Sequence, residues 1–195
     1  AAAGIVEGAA PEAAEALHSI PYGEMAMISI AYPNTSLRPG ACNGFGQLHP
    51  RSAGLRSLGV LYPSSLFPNR APPGEVLTVS FVGGARDPQL WGGVGGLDDE
   101  AVVRVVEEDH RVTITKPGAS GRLISVVRWQ KAIPQPNLGH RDRVHRAEEA
   151  LAAAGLGRVR LAGNYKGGVA VGTCITTGMG LMAELEAEAV WPRTP

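Results

Sequence analysis

Alternating apolar and polar positions predict several short strands in the first two thirds of the chain. From residue 25 to residue 32, Ala26, Ile28 and Ile30 alternate with Met27 and Ser29, which is the two-residue period of a β-strand. Short strands separated by connections rich in proline and glycine are typical of a largely antiparallel sheet. Further strands are predicted at 44–50, 58–62, 76–82 and 123–129.

Three other segments show the period of a helix. Residues 11–18 begin with Pro11, which suits a first turn. A second helix opens after Asp98, a favourable N-cap, and places Val102, Val103 and Val106 on its buried side. The third helix spans 139–154 and ends at a glycine. Its predicted buried face consists of Val144, Ala147, Leu151 and Ala154.

The stretch 159–188 predicts a short strand, a glycine-rich turn and a final helix. The strand is the apolar run at 159–162, and five glycines follow between 163 and 178. Glycines allow a backbone to lie close to a flat or charged group. The N–H groups that begin the helix favour an anion or an electron-rich ring. By itself, this stretch favours an ordinary strand–turn–helix packing unit.

Composition and charge are those of an ordinary globular protein. The 195 residues are 44% hydrophobic and 18% charged, with a formal net charge of zero and scattered arginines, so no nucleic-acid surface is predicted. No apolar run reaches the roughly 18–20 residues of a membrane-spanning helix. Cys42 and Cys174 are interpreted as free thiols. The start at Ala1, without methionine, is interpreted as a processed or truncated beginning.

No catalytic or metal-binding set emerges from the residues themselves. The five histidines are interpreted as isolated residues with solvated or capping roles, and His140 and His145 do not share the i,i+4 spacing of zinc ligands. Ser64 and Ser65 lack the frame of a hydrolase nucleophile. The glycine run at 92–96 does not have the spacing of a dinucleotide loop and is interpreted as a flexible loop. Any reactive group is therefore expected to come from a cofactor.

Five segments, in order, resemble the protoporphyrinogen oxidase family of flavoenzymes, in its plastid rather than its mitochondrial form. The first is Gly-Phe-Gly-Gln-Leu-His-Pro-Arg at 44–51, and the second is Ser-Ser-Leu-Phe-Pro-Asn-Arg-Ala-Pro-Pro-Gly at 64–74. The others are Val-Gly-Gly-Ala at 82–85, Trp129 with Ala-Ile-Pro-Gln at 132–135 and Gly-His at 139–140, and the glycine-rich 163–174. Together they cover almost the whole chain.

The resemblance is to the C-terminal portion of that FAD-dependent, amine-oxidase-like superfamily. It implies an α+β fold that is half of an FAD-linked oxidase: an antiparallel-rich substrate-domain sheet and a C-terminal strand–turn–helix of the FAD domain. Residues 1–21 would be a helical lead-in, 22–134 part of the substrate-binding domain, and 135–195 the C-terminal part of the FAD-binding domain. The family's strand–Gly-x-Gly-x-x-Gly–helix, which binds the FAD pyrophosphate, is not found in residues 1–195.

Site residues follow from the resemblance by position. Those matching the flavin-facing residues are Trp129, Gly163, Asn164, Gly168, Val169 and Ala170. Those matching the apolar residues around the flat tetrapyrrole are Leu48, Leu61 and Phe81. No catalytic residue and no metal ligand are identified. Three features depart from the family pattern: Pro136 in place of an aromatic, Lys166 in the flavin turn, and Thr176-Thr177 in place of an acidic-glycine pair.

The resemblance implies hydride removal from protoporphyrinogen IX to FAD, with O2 as the final acceptor, in haem and chlorophyll biosynthesis. Such an enzyme would need an N-terminal half, or another chain that covers the exposed sheet and apolar surface. The alternative is a truncated, non-catalytic relative that is a structural subunit of a larger organelle complex, such as a photosynthetic membrane complex. A module that only holds a flavin or tetrapyrrole is a third hypothesis. A plastid location is implied, with the mitochondrion as the alternative, and homodimerisation and peripheral membrane association stay open.

Overall fold

A computed structural model describes residues 2–85, 87 and 96–188. The chain divides into two compact units. The sheet unit comprises residues 23–132, and the helical unit comprises 1–22 with 133–195. The predicted loop at 92–96 lies outside the described residues except for Gly96.

The sheet unit contains five strands: β1 (Tyr22–Pro33), β2 (Gly46–Leu48), β3 (Gly59–Leu61), β4 (Glu75–Gly83) and β5 (Arg122–Pro134). Their spatial order is β2-β3-β4-β1-β5. Strands β1 and β4 pair antiparallel from Met25 opposite Gly83 to Pro33 opposite Glu75, and β3 pairs antiparallel with both β2 and β4. The prediction of an antiparallel-rich sheet in a mixed α and β fold is therefore confirmed.

One face of this sheet is buried beneath helix α4 (Asp99–Thr113). Ile28, Ile30 and Val82 from the sheet are fully buried with Val102 and Val106 from the helix. The helix begins where the sequence predicts, because the Asp98 carboxylate accepts a hydrogen bond from the Ala101 backbone N–H at 2.7 Å. The four-residue helix α3 (Pro63–Leu66) lies between β3 and β4.

The helical unit contains helix α1 (Ala2–Val6), helix α2 (Pro11–His18) and helix α5 (His140–Ala153), and α2 packs against α5. The three helices form a cluster of mostly small buried residues. Alanines on facing helices allow close approach of the backbones, so a compact core forms with few large side chains. The buried members from α5 are Val144, Ala147 and Leu151.

Helix α6 (Val171–Ala187) has no buried residue. One stripe of the helix is apolar and outward-facing: Val171 is 77% exposed and Met179 is 70% exposed, with Ile175 and Met182 along the same side. The opposite side contacts its own unit through Thr173 and Thr177, which lie against Gly168 and Gly167. The stripe is thus an apolar surface that the described part of the chain leaves uncovered.

Three details of the sequence-based prediction are wrong. Residues 159–162 do not form a strand, because a strand needs a hydrogen-bonded neighbour and the described sheet lies entirely in 22–134. Ala132 to Pro134 continue β5 instead of ending it. Ala154 is exposed and follows the end of α5. Both cysteines are free thiols, as predicted, with Cys42 buried and Cys174 half-buried.

His110 is also not the solvated histidine that its isolation in the sequence predicts. It is 1% exposed, and its ring bridges the Tyr32 hydroxyl (2.9 Å, Nδ1) and the Ser80 hydroxyl (2.8 Å, Nε2). Burial lowers the pKa of the His110 imidazole from its ordinary 6.5 to about 4, against an opposing effect of Asp109. The folded protein therefore holds this ring neutral over a range in which the unfolded chain binds a proton.

The first prediction concerns the pH dependence of stability. Between about pH 6.5 and pH 4 the unfolded state binds more protons at His110, so the free energy of unfolding should fall as pH falls, by up to about 3 kcal/mol. Urea unfolding midpoints of the wild type and of His110→Gln, measured from pH 7.5 to pH 4, test this. The variant should show a smaller slope than the wild type, because the contribution of His110 is removed, whereas exposed His18→Gln should keep the wild-type slope. Equal slopes in all three proteins would refute the assignment.

The second prediction concerns Gly121, which precedes β5. A Cβ atom there would lie 2.3 Å from Ile30 Cγ2 and 2.6 Å from the Tyr32 ring, and both side chains are buried. Gly121→Ala should therefore destabilise the protein by about 1–3 kcal/mol through overpacking. Thermal unfolding measures the effect, with Ser120→Ala at the exposed neighbouring position as the control expected within about 0.5 kcal/mol of wild type. Equal unfolding temperatures for the two variants would contradict the packing argument.

Candidate functional site

The face of the sheet opposite α4 brings Leu48, Leu61 and Phe81 together. Leu48 lies opposite Gly59, and Gly59 lies opposite Phe81. Directly paired residues of an antiparallel sheet project from the same face, so Leu48 and Phe81 share one row across three strands. Leu61 projects from the same face one row along, since it lies two residues after Gly59 in β3. We call this surface the open face.

The open face is apolar and only partly covered. Met27 and Val79 extend it on β1 and β4 and are half-buried, as are Leu61 and Phe81. Leu48, on the outermost strand, is 89% exposed. A partly exposed apolar surface of this kind marks a place where a flat apolar molecule or another chain segment binds.

Two glycines lie between the large side chains of the open face, and Gly59 is buried. Gly59 separates Leu48 from Phe81 in the first row, and Gly46 lies beside Leu61 in the second. A Cβ at Gly59 would lie 2.5 Å from the Gln47 carbonyl oxygen, and one at Gly46 would meet the Val60 carbonyl oxygen. No side chain fits at either position. The open face is therefore a shallow surface with isolated apolar side chains standing on it.

Trp129 lies on β5, at the other edge of the sheet, and is 53% exposed. Its neighbour Arg128 forms an ion pair with Asp99 at the first residue of α4 (2.6 Å). The exposure of the indole leaves it available for stacking on a ring system. Its role towards a flavin stays a prediction.

The second group of site residues lies in the helical unit, in the turn before α6. Leu161 and Tyr165 are buried and anchor the turn, and the His140 ring N–H at Nε2 donates to the Tyr165 carbonyl at 2.7 Å. Gly163 and Gly168 have φ angles of +142° and +131°, a region that residues with a Cβ rarely adopt. These anchors place Gly163, Asn164, Gly168, Val169 and Ala170 in one loop whose tip faces outward.

The turn ends at an uncapped helix N-terminus. Ala170 is the N-cap residue of α6 and makes no side-chain cap, and the first backbone bond of the helix runs from the Cys174 N–H to the Ala170 carbonyl at 3.0 Å. The N–H groups of the first turn therefore have no partner within the helix. Val169 and Val171, on either side of Ala170, are 57% and 77% exposed. N–H donors without a partner in the helix, together with an accessible apolar rim, fit the polar edge and flat face of a flavin ring.

Lys166 does not bring an unpaired charge into this turn. Its ammonium forms an ion pair with the Glu148 carboxylate of α5 (2.5 Å). The pair is partly exposed, so its contribution to stability is small, but it directs the lysine towards α5. The charge that the sequence flags as a departure is therefore compensated locally.

Sequence reasoning missed a buried polar group beneath the sheet. The Asp109 carboxylate, 6% exposed, accepts hydrogen bonds from the Ser57 N–H (2.7 Å) and the Ser57 hydroxyl (2.5 Å), and Ser57 also contacts His49 Nδ1 (2.9 Å). One signal was available. Asp109 and His110 follow Val102 and Val106 at helical spacing, so they continue the buried stripe of α4.

Within the described ranges, no three potential metal ligands gather at one place, and no helix is long and apolar enough to cross a bilayer.

Comparison with known proteins identifies relatives of this chain. Residues 4–180 match the family described as flavin containing amine oxidoreductase. A chloroplastic protoporphyrinogen oxidase of Nicotiana tabacum is 41% identical over 169 residues, which are 84% of this chain and 30% of that protein. The mitochondrial form from the same plant is 31% identical over 69% of this chain and 26% of its own length.

A solved structure shares the fold. A crystal structure of a proposed protoporphyrinogen oxidase from Exiguobacterium superposes with a TM-score of 0.68 at 20% identity, and the match covers 95% of this chain and 40% of that one. At this identity, the likeness concerns the fold alone.

The curated relatives are about three times as long as the segment that matches this chain, which spans about 30% of their length. The match nevertheless extends over most of the chain and includes both the sheet and the glycine-rich turn. The chain belongs to the flavin-containing amine oxidoreductase family and, within it, is a homologue of the plant protoporphyrinogen oxidases.

Proposed function

We propose that this chain is the C-terminal portion of a protoporphyrinogen oxidase that transfers hydride from protoporphyrinogen IX to FAD, with O2 as the final acceptor. The observation that carries the proposal is the open face, where Leu48, Leu61 and Phe81 project from one side of the sheet around two glycines. The names and sequences of the plant relatives support it.

The open face suits a tetrapyrrole because the substrate is a broad, mostly apolar disc. Phe81 offers a ring for stacking, while Leu48 and Leu61 offer aliphatic faces. Each Å² of apolar surface removed from water contributes about 25 cal/mol, so a disc that covers several such side chains is bound mainly by burial.

The glycine-rich turn suits the flavin ring. The N–H groups at the start of α6 would donate to its polar edge, and Val169 would pack on its face. The helix dipole places partial positive charge at this end, which favours the added negative charge of a reduced ring. FAD, when bound, supplies the hydride acceptor; the chain's own residues orient the ring and exclude water from one side.

Under this proposal, residues 22–134 belong to the substrate-binding domain and 135–195 to the FAD-binding domain. The pyrophosphate-binding Gly-x-Gly-x-x-Gly element lies outside the 195 residues, so the FAD site is completed by an N-terminal half or by another chain. The exposed stripe of α6 is a surface that such a partner would cover. Because plant relatives occur in chloroplasts and also in mitochondria, a plastid location is proposed, with the mitochondrion as the alternative.

The third prediction tests the open face. Phe81→Ala should weaken the binding of protoporphyrin IX by about 10- to 100-fold, since a stacked and buried phenylalanine contributes about 1.5–3 kcal/mol. Fluorescence titration of the purified protein measures this affinity.

The control is Val112→Ala. Val112 is 63% exposed and lies on α4, across the sheet from the open face, so its truncation should leave the affinity unchanged. Equal affinities for wild type and Phe81→Ala would show that the porphyrin does not bind where we propose.

The fourth prediction tests the flavin turn by separating stability from binding. Ala170→Asp would cap α6 and stabilise the protein by about 0.5–2 kcal/mol. It should also occupy the free N–H groups and add a negative charge, lowering flavin affinity at least about 10-fold. Ala170→Asn caps without the charge and should lower flavin affinity less. The measurements are thermal unfolding and the visible flavin spectrum of the protein purified with its co-eluting partners.

The same preparation distinguishes the enzyme from the structural subunit. Bound flavin and oxygen-dependent formation of fluorescent porphyrin from protoporphyrinogen IX support the oxidase. Stable incorporation into a large assembly, with no flavin spectrum and no turnover, would refute it and favour the non-catalytic alternative.

A further inference from the structure

Strand β2, which carries Leu48, has little to hold it in place. It consists of three residues at the edge of the sheet and, among the described strands, pairs only with β3. Hairpins of this size are marginally stable by themselves. The Leu48 side chain is 89% exposed, so packing does not determine its position. The position of Leu48 must therefore come from the backbone of the hairpin.

A buried carboxylate on the other side of the sheet holds that backbone. Asp109 of α4 accepts hydrogen bonds from the Ser57 N–H at 2.7 Å, the Ser57 hydroxyl at 2.5 Å and the Arg56 N–H at 3.3 Å. Arg56 and Ser57 end the loop that joins β2 to β3, just before the strand that carries Leu61. One side chain of the helix thus restrains the β3 end of the hairpin loop.

His49 extends the restraint to β2. The single proton of the Ser57 hydroxyl is donated to Asp109, so His49 Nδ1 must carry the proton and donate to the Ser57 oxygen (2.9 Å). The backbone N–H of His49 also donates to the Leu58 backbone carbonyl at 2.9 Å. His49 directly follows Leu48. Its ring faces α4, away from the open face, so it cannot act as a base towards a ligand bound there.

Two backbone N–H groups and one hydroxyl donate to the Asp109 carboxylate. The Arg56 guanidinium is directed to Asp87, with an Nε–Oδ2 distance of 3.3 Å. Charge-assisted bonds to a buried carboxylate are stronger and more directional than neutral ones. This arrangement restrains a short hairpin more tightly than its few ladder hydrogen bonds would.

We propose that Asp109, acting through Ser57 and His49, is a positioning residue that holds Leu48 and Leu61 in place to bind the tetrapyrrole. The proposal rests on the proposed function for its ligand. A binding surface that is already ordered loses less conformational entropy when the ligand binds, so the affinity is higher. Loosening the hairpin should therefore reduce affinity for the disc without affecting the flavin turn.

The fifth prediction uses Ser57→Ala and Asp109→Asn, with Asp87→Asn as the matched control. The control removes the partly exposed partner of Arg56 in the same region and leaves the buried network intact. Hydrogen exchange measured by mass spectrometry should be faster at residues 46–61 in both network variants, and unchanged at residues 75–83 and in the control. Protoporphyrin IX affinity should fall about 5- to 30-fold in the network variants, with flavin content unchanged.

The two measurements separate the possible failures. Unchanged exchange at 46–61 in Ser57→Ala, which removes one hydroxyl and no charge, would overturn the restraint itself. Faster exchange with unchanged porphyrin affinity would overturn its role in binding. If the wild-type protein binds no porphyrin, the proposed function and the positioning role fail together, and exchange still decides whether Asp109 orders the hairpin.

Discussion

The antiparallel ladder between β1 and β4 is the interaction on which the rest of the sheet unit depends. It runs through nine residue pairs, from Met25–Gly83 to Pro33–Glu75, and is much longer than the three-residue pairings of β2 and β3. Because side chains alternate along each strand, this ladder divides the sheet into two faces. This division determines on which side of the sheet each feature of the unit lies, including the open face.

The two faces of the sheet differ in how far their apolar side chains are buried. On one face, Ile28, Ile30 and Val82 are covered by Val102 and Val106 of α4. On the other, Phe81, Leu61 and Leu48 remain half-buried or exposed, so their apolar surface is still available to a ligand. The exposed stripe of α6 in the helical unit is a similar case, since Ile175 is 58% exposed and Met179 is 70% exposed. Both surfaces agree with a chain that spans about a third of its relatives' length.

The face that α4 covers contains buried polar groups that fix the positions of the strands. His110 links Tyr32 of β1 with Ser80 of β4, and Asp109 beside it holds Ser57 before β3. Buried hydrogen-bonded networks are costly when incomplete and directional when satisfied. In this fold they connect the well-paired centre of the sheet to its short outer strands, which apolar packing alone would hold less specifically.

Local patterns determined much of this protein. The β1 alternation, the Asp98 cap and the stripe of Val144, Ala147 and Leu151 act between near neighbours, so the sequence alone predicts them correctly. The motifs also sufficed to indicate the family. Only the tertiary structure decided what depends on distant partners. The register across three strands places Leu48 in the same row as Phe81. Residues 159–162 are irregular because no described strand lies beside them. His110 is buried because α4 packs on the sheet, and its ring there bridges Tyr32 and Ser80. Burial and strand pairing are properties of the assembled chain, and no local pattern contains them.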